Sequence, residues 1–330
     1  MASHPEEQTE VVDNSYFETE TVHNRLFQRY ALRNYTYYQP IDENMVQDEV
    51  ERLRIESAVF NRVFENRLLF PPLTRPRRIL DCGYGTADWA VDVATRNPRC
   101  EVIAVDIYPF QPETMPDNLY LQVDDLNSRY ELDTHYQCLL ILRTRFTFPS
   151  HNFDLVHSRM MATGIHINRW TEYLRDIFRV VRPGGWCQMV ELNYNVQSDN
   201  GRLTDAHALR QWSTTFLQSL SDVKDLRVPL RLQNLMREAG FVDIEHRMIP
   251  MHTCDAREHE IGTANRDNVH RFLSSLAVFP FTEKLGMPIQ DVQLLIAQAR
   301  LEADDPALKV KHLKVCSFFT RCITANTVVL

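Results

Sequence analysis

The chain has 330 residues, 44% hydrophobic and 24% charged, the ordinary composition of a folded globular protein. Lys and Arg number 36 against 44 Asp and Glu, so the net charge is −8, and with no basic stripe nucleic acid is excluded as an expected partner. No apolar run approaches the length of a membrane-spanning helix, and the acidic start MASHPEEQTEVVDNSYFETE is no secretory signal, so neither a membrane nor export is expected.

The seven cysteines are scattered without a C-x-x-C pair, which points to reduced thiols in a cytoplasmic protein and to no metal site. Residues 1–20, poor in apolar side chains, read as a disordered N-terminus. The remainder, 21–330, reads as one domain without internal repeat or linker. Its parts are an N-terminal helical lid (21–75), a core (76–195), and substrate-side helices with the last strands (196–330).

Residues 24–38 (NRLFQRYALRNYTYY) are basic and aromatic, and form either a lid over a ligand or a solvent-facing clamp. Pro40-Ile41-Asp42 opens a helix with Asp42 as its N-cap. Met45, Val46, Val50, Leu53, Ile55, Val59, Phe60, Val63 and Phe64 then recur at helical spacing. Pro71, Pro72 and Pro76 end that helix, and Arg75, Arg77 and Arg78 beside them read as a solvated loop.

The chain is organised around residues 79–106, ILDCGYGTADWAVDVATRNPRCEVIAVD, which read as strand, glycine turn, helix and strand. The pattern predicts nucleotide binding at the carboxyl edge of a parallel sheet. Gly83 and Gly85 let the backbone approach a ligand closely, because no Cβ stands in the way. Asp106, about 20 residues past the turn, is placed to accept from a ribose diol. A dinucleotide fingerprint wants a small residue where this chain has Asp88, whose carboxylate would repel a pyrophosphate. S-adenosylmethionine carries no phosphate but does carry a sulfonium and an amino group, which Asp81 and Asp88 suit better; a dinucleotide and a functionless βαβ turn remain the alternatives.

Downstream, residues 119–123 form a short strand ending in Asp124-Asp125-Leu126, acids that can accept from an adenine amino group. Residues 128–145 interrupt the pattern, as a substrate-side insertion or one without a role. A buried strand over 153–157 leads to Ser158-Arg159-Met160, and a helix over 170–181 follows. The turn Arg182-Pro183-Gly184-Gly185-Trp186 comes next, with Gly184 expected to stop the helix in a left-handed conformation. A strand over 187–192 holds Glu191. Helices are expected over 205–220, 230–239 and within 257–303, and strands over 241–249 and 314–320. The whole predicts an α/β fold with a doubly wound, mostly parallel sheet.

These segments resemble class I S-adenosylmethionine-dependent methyltransferases, and within them the fungal LaeA-like group of regulators and natural-product enzymes. The resemblance runs from about residue 24 to 321. It is carried by ILDCGYGTADWAVDVA, VIAVDIYPFQP, VDDL, FPSHNFDLVHSRM, VRPGGWCQMVEL and IGTANRDNVHRFLSSLAVFPFTEKLGM, and by the segment from RYALRNYTYYQP to VERL. It implies a seven-stranded Rossmann-like sheet with a helical N-terminal lid and a helical C-terminal insertion, and S-adenosyl-L-methionine as cofactor. By the same resemblance Asp81, Gly83, Tyr84 and Gly85 meet the methionine part and Asp106 and Ile107 the ribose. Asp124, Asp125 and Leu126 form the adenine loop, Ser158 and Arg159 line the cofactor, and Tyr30 and Tyr38 of the lid close on it. The chain departs from the family's G-T-G-T-G at Ala87, where a Cβ is tolerable if the backbone is helical, and in the insertion at 128–145.

Methyl transfer is an in-line displacement in which the protein mostly supplies positioning. Glu191 and His166 are the candidate bases for a hydroxyl acceptor, with His157 and Tyr194 also near strand ends; His157, inside an apolar strand, reads as a buried, satisfied histidine. The acceptor is expected to be a small molecule of fungal secondary metabolism, methylated on O or N. The alternatives are a regulator acting through a protein partner, for which a nuclear location is open beside the cytoplasmic one, and a cofactor-binding fold with other chemistry. Tyr30, Tyr35, Tyr37, Tyr38, Phe272, Phe279 and Phe281 can build a closed apolar pocket, or equally a core.

Overall fold

The computed structural model describes residues 12–43, 48–128, 146–252 and 259–322. The proposed insertion at 128–145, apart from its first residue, and Met45 and Val46 of the expected helix lie outside the described residues.

The strand after Pro76 forms where Ile79, Leu80, Asp81 and Cys82 are buried in succession, as expected of a parallel strand covered on both faces. This is β3 (Arg78–Cys82). It pairs in parallel with β4 (Glu101–Asp106) on one side and with β6 (Phe153–Arg159) on the other. Beyond β4 lies β5 (Leu119–Val123), and beyond β6 lies β7 (Val181–Asn193), both again parallel. The last strand, β10 (Val310–Cys322), runs antiparallel to β7 and to β9 (Phe241–His252).

Among the described residues the sheet therefore has seven long strands in the order β5-β4-β3-β6-β7-β10-β9, with a two-residue strand β8 (Gln197–Ser198) added at the β10 edge. This is a doubly wound, mostly parallel Rossmann-like sheet with one antiparallel strand. The order reverses between β3 and β4 on one side and β6 on the other, and the crevice at their carboxyl ends is where such folds bind ligands. Helix α3 (Asp88–Arg96) buries Trp89, Ala90, Val93 and Ala94, and α4 (Trp170–Val180) buries Tyr173, Leu174 and Ile177. Two further helices, α7 (His259–Phe279) and α8 (Ile289–Ala303), lie between β9 and β10 in the chain, the expected helical C-terminal insertion. Helices α5 (Ala208–Ser219) and α6 (Leu232–Ala239) complete the second half, and Gly240 ends α6 at φ +105.

Four expectations are corrected. The expected disorder does not hold over residues 12–20, because Asn14–Phe17 form a 3-10 turn capped by Asp13, whose carboxylate accepts from the Ser15 nitrogen at 2.8 Å. The lid is not wholly helical: β1 (Thr19–Val22) and β2 (Arg25–Gln28) make a hairpin before the short α1 (Arg29–Arg33).

Asp42 does not open a helix. Helix α2 begins only at Glu49 (Glu49–Val63) with Asp48 as its N-cap, while Asp42 is buried and bound to Arg25. Gly184 does not stop α4 either. The helix ends at Val180, Val181 already pairs with Phe153, and Gly184 sits at φ +79 in the bulge before Trp186 pairs with Leu155. There Gly185 is required, since a Cβ would meet the carbonyl oxygens of Arg182 and Asp154 at 3.0 Å.

Candidate functional site

At the carboxyl ends of β3, β4 and β6 lies a half-open cavity with about 1090 Å³ of empty space, its mouth included. Gly83 and Gly85 form its floor at φ +78 and +56, and Gly83 donates its N–H to the Val105 carbonyl at 2.8 Å, fastening the turn to β4. A Cβ on Gly83 would overlap the sulfur of Met161, which also lines the cavity.

Asp106 ends β4 at the cavity wall. Its two oxygens accept from the backbone nitrogens of Gly85 at 2.8 Å and Tyr108 at 3.1 Å. Burial raises its carboxyl to about 6, against the lowering pull of those N–H groups.

Of the two acids after β5, Asp125 is already engaged: Asn127 donates to one oxygen from its backbone (2.9 Å) and amide (3.1 Å), and the Thr36 hydroxyl donates to the other at 3.3 Å. Asp124 is half-buried, and both acids line the cavity. Ile107, Leu126 and Arg159 also line the cavity, as the sequence suggested. Arg159 lies over the Phe60 ring at 5.2 Å, and burial lowers its pKa.

Other expected residues lie elsewhere. Asp81 is buried behind the turn, its carboxylate 2.8 Å from Nδ1 of His157, whose ring stacks on Trp89 at 3.6 Å. That pair fixes β3 to β6, and burial holds His157 below its ordinary pKa, in keeping with a satisfied core histidine. Tyr84 is buried and donates its hydroxyl to the Tyr108 and Phe110 carbonyls at 3.3 Å, so it packs the loop from outside the cavity. Ser158 is fully buried against the Tyr173 hydroxyl at 2.9 Å. Tyr30 stacks on Tyr16 at 4.5 Å and Tyr38 on Phe279 at 5.6 Å; neither lines the cavity.

Both expected bases miss the cavity as well. Glu191 is fully buried, and its oxygens accept from the backbone nitrogens of Met161 (2.9 Å) and Ala162 (3.1 Å), the 3-10 turn after β6. Burial raises its carboxyl to about 8. It positions Met161 rather than facing an acceptor. His166 lies 3.2 Å from the Tyr35 carbonyl through Nε2, with burial and the nearby Lys224 lowering its pKa. Tyr194 is fully buried against Phe216 and Phe272.

The sequence reading missed the opposite wall. Helix α2 turns Glu49, Arg52 and Glu56 inward at helical spacing, where Arg52 donates to Glu49 at 2.7 Å and to Glu56 at 3.1 Å. Glu49 also accepts from Ser275 of α7 at 2.5 Å and stands 3.7 Å from Arg25, which binds Asp42 at 2.6 Å. Tyr37 and Phe272 complete this wall. Its signal was a charged stripe in α2 that an apolar-periodicity count passes over.

The residues present have the chemistry that S-adenosylmethionine calls for: carboxylates at Asp106 and Asp124, a cation at Arg159, and no Cβ at Gly83 and Gly85. Residues 55–246, more than half of the chain, match the family described as a methyltransferase domain. The chain belongs to that family. S-adenosylmethionine is the cofactor of this methyltransferase.

The chain is 28% identical over 285 residues to a secondary metabolism regulator laeA of Aspergillus fumisynnematus, covering 83% of this chain and 69% of that one. It is 27% identical over 282 residues to a protein-methionine methyltransferase laeA of Emericella nidulans, with the same coverage of 83% and 69%. Among solved structures, it is similar to Haemonchus contortus phosphoethanolamine N-methyltransferase 2 in complex with S-adenosyl-L-methionine. That likeness has 16% identity and a TM-score of 0.47, and it covers 86% of this chain but only 55% of the other's length. It is also similar to geranyl diphosphate methyltransferase in complex with the same cofactor, with 11% identity, a TM-score of 0.46, and coverage of 86% and 93%. The fold rests on the strand order above, not on these superpositions. No helix among the described residues is long and apolar enough to cross a membrane.

Proposed function

We propose that this methyltransferase transfers the methyl group of S-adenosylmethionine to a nitrogen or oxygen nucleophile of a small molecule in fungal secondary metabolism. The observation that carries this reading is the partial roof over the cavity. The N-terminal segment (Tyr37, Pro40, Ile41) and α2 roof it on one side, and Phe272 of α7 meets them from the other. Such concave, partly aromatic chambers suit a small ligand. A cytoplasmic location fits, since the five described cysteines are buried and none of them is in a disulfide.

Bound S-adenosylmethionine supplies a methyl group already activated by its sulfonium. The chain's own part is to bind and orient. Asp106 would accept from the ribose hydroxyls, Asp124 from the adenine amino group, and Arg159 would meet the carboxylate. In this reading α2 faces the acceptor with Glu56 and Glu49, both oriented by Arg52. Fixing two reactants at contact distance is worth roughly 7–11 kcal/mol of barrier. Of the polar wall residues, Glu56 is the one best placed to hold an acceptor's N–H or O–H.

A second reading, a protein acceptor, is favoured by one observation: neither Glu191 nor His166 reaches the cavity. A thioether needs no base, and the Emericella nidulans relative is named a protein-methionine methyltransferase. The experiment is incubation of the purified protein and a fungal extract with methyl-labelled S-adenosylmethionine, followed by separation by size. Label in the small-molecule fraction that is lost with Glu56→Ala supports the first reading. Label confined to protein overturns it in favour of the second.

A further inference from the structure

Lys224 is the one lysine buried to 1% exposure among the described residues, and nothing in the transfer reaction itself uses it. Its ammonium donates to the Thr36 carbonyl at 2.8 Å and to the Gly164 carbonyl at 2.6 Å. Those two residues belong to opposite banks of the cofactor cavity: Thr36 to the N-terminal segment, Gly164 to the turn after β6. The same neighbourhood holds the segment twice more. The Thr36 hydroxyl donates to Asp125 at 3.3 Å, and the Tyr35 carbonyl lies 3.2 Å from Nε2 of His166. Asn127 bridges Asp125 to the Gly164 carbonyl at 3.1 Å, so Gly164 is tied to the adenine loop as well. The backbone at Lys224 pairs with His166, which carries the ammonium to this place.

We propose that Lys224 is a positioning residue for the cofactor. It clasps the lid at Thr36 to the Gly164 turn, and so holds Tyr37 over the cavity and Asp125 in the adenine loop. An ammonium is suited to this because it carries three donors and no acceptor, and both partners are carbonyl oxygens. A buried lysine is costly unless it is paired. Burial draws this one down to about 7, with Asp125 opposing that shift and Lys284 adding to it. His166 faces it too and is itself lowered by it, while Asp222 is occupied by Lys284 at 2.7 Å. Even as the neutral amine, Lys224 retains two donors for its two carbonyls; what it loses above that pH is the attraction to Asp125.

The inference rests on reading the cavity as the cofactor site. The test measures S-adenosylhomocysteine binding, steady-state kinetics and amide exchange on wild type and Lys224→Met. The expected result is affinity about tenfold weaker, from the loss of charge-assisted hydrogen bonds. KM for S-adenosylmethionine should rise in step while kcat at saturating cofactor moves less than about threefold, the signature of lost uniform binding. Exchange should quicken at Thr36, Tyr37 and Gly164 and not along α5.

Unchanged affinity, or exchange that quickens throughout, overturns the proposal, since a merely structural lysine would give one or the other. If Lys224→Met is recovered unfolded, wild type decides: the amides of Thr36, Tyr37 and Gly164 must all slow when S-adenosylhomocysteine binds. Slowing at the turn without the lid overturns the clasp. Wild type that does not bind S-adenosylhomocysteine at all would instead sink the cofactor reading of the cavity.

Discussion

The carboxylate of Asp106 accepts the backbone N–H of Gly85 at 2.8 Å, so the end of β4 and the glycine turn after β3 are held as one surface. The contact gives a pH dependence. In the proposed site Asp106 accepts the ribose hydroxyls with charge assistance only when ionised, and burial raises its carboxyl to about 6. Cofactor affinity should therefore be flat above pH 7 and weaken as pH falls through 6. Folding of the free protein has the opposite sign. A carboxyl raised above its unfolded value of about 3.9 contributes stability below that pH, and the contribution is lost as pH rises through 6. Titration calorimetry and thermal melts from pH 5 to 8 check both; affinity that is constant down to pH 5 would contradict the assignment.

Ala87 stands at φ +64, not in the helical region that would make its Cβ harmless, although its side chain is fully buried and its nitrogen reaches the Tyr84 carbonyl at 2.8 Å. A left-handed alanine is strained by roughly 1–2 kcal/mol, and glycine's greater freedom when unfolded offsets part of that. Ala87→Gly is expected to stabilise the protein by about 0.5–1 kcal/mol, read as a raised denaturation midpoint. A lowered midpoint would contradict the strain.

Gly83 is limited by its neighbour. Gly83→Ala would strain a backbone at φ +78 and displace the Met161 side chain, which lines the cavity. The expected cost is about 1–3 kcal/mol of stability. Cofactor affinity should fall as well, and Met161→Ala should restore part of it in the double variant.

Glu191 is expected to act on stability and not on proton transfer. Glu191→Gln leaves an amide N–H facing one of the two donors at Met161 and Ala162, a loss of about 1–3 kcal/mol. The pH profile of kcat/KM should keep its shape. Loss of a limb of that profile with an unchanged melting point would make Glu191 a base after all.

What was legible in the sequence is what local pattern determines. The buried run of β3, the two glycines, the acid ending β4 and the acids ending β5 are all written within single segments, and they meet at one cavity. What was not legible depends on partners far along the chain. Asp42 looked like a helix cap until Arg25 claimed it, and the Thr36 hydroxyl that meets Asp125 at the cavity lies 89 residues earlier. Glu49, Arg52 and Glu56 look like an ordinary charged helix face; their burial depends on Arg25 and on Ser275, 226 residues from Glu49. Lys224 gives no signal at all, because its partner Thr36 lies 188 residues away. Glu191 and His166 were placed correctly at strand and loop ends, but position along the chain does not say which way a side chain points.

The cavity between Gly83, Gly85, Asp106 and Asp124 is proposed to hold S-adenosylmethionine. The most direct test is calorimetry with S-adenosylhomocysteine on wild type and Asp106→Ala. Wild type should bind one equivalent. The variant should bind about ten- to a hundredfold more weakly, the worth of charge-assisted hydrogen bonds to a ribose of roughly 1.5–3 kcal/mol. Equal binding by the two proteins, or none by wild type, would show that this cavity is not the cofactor site.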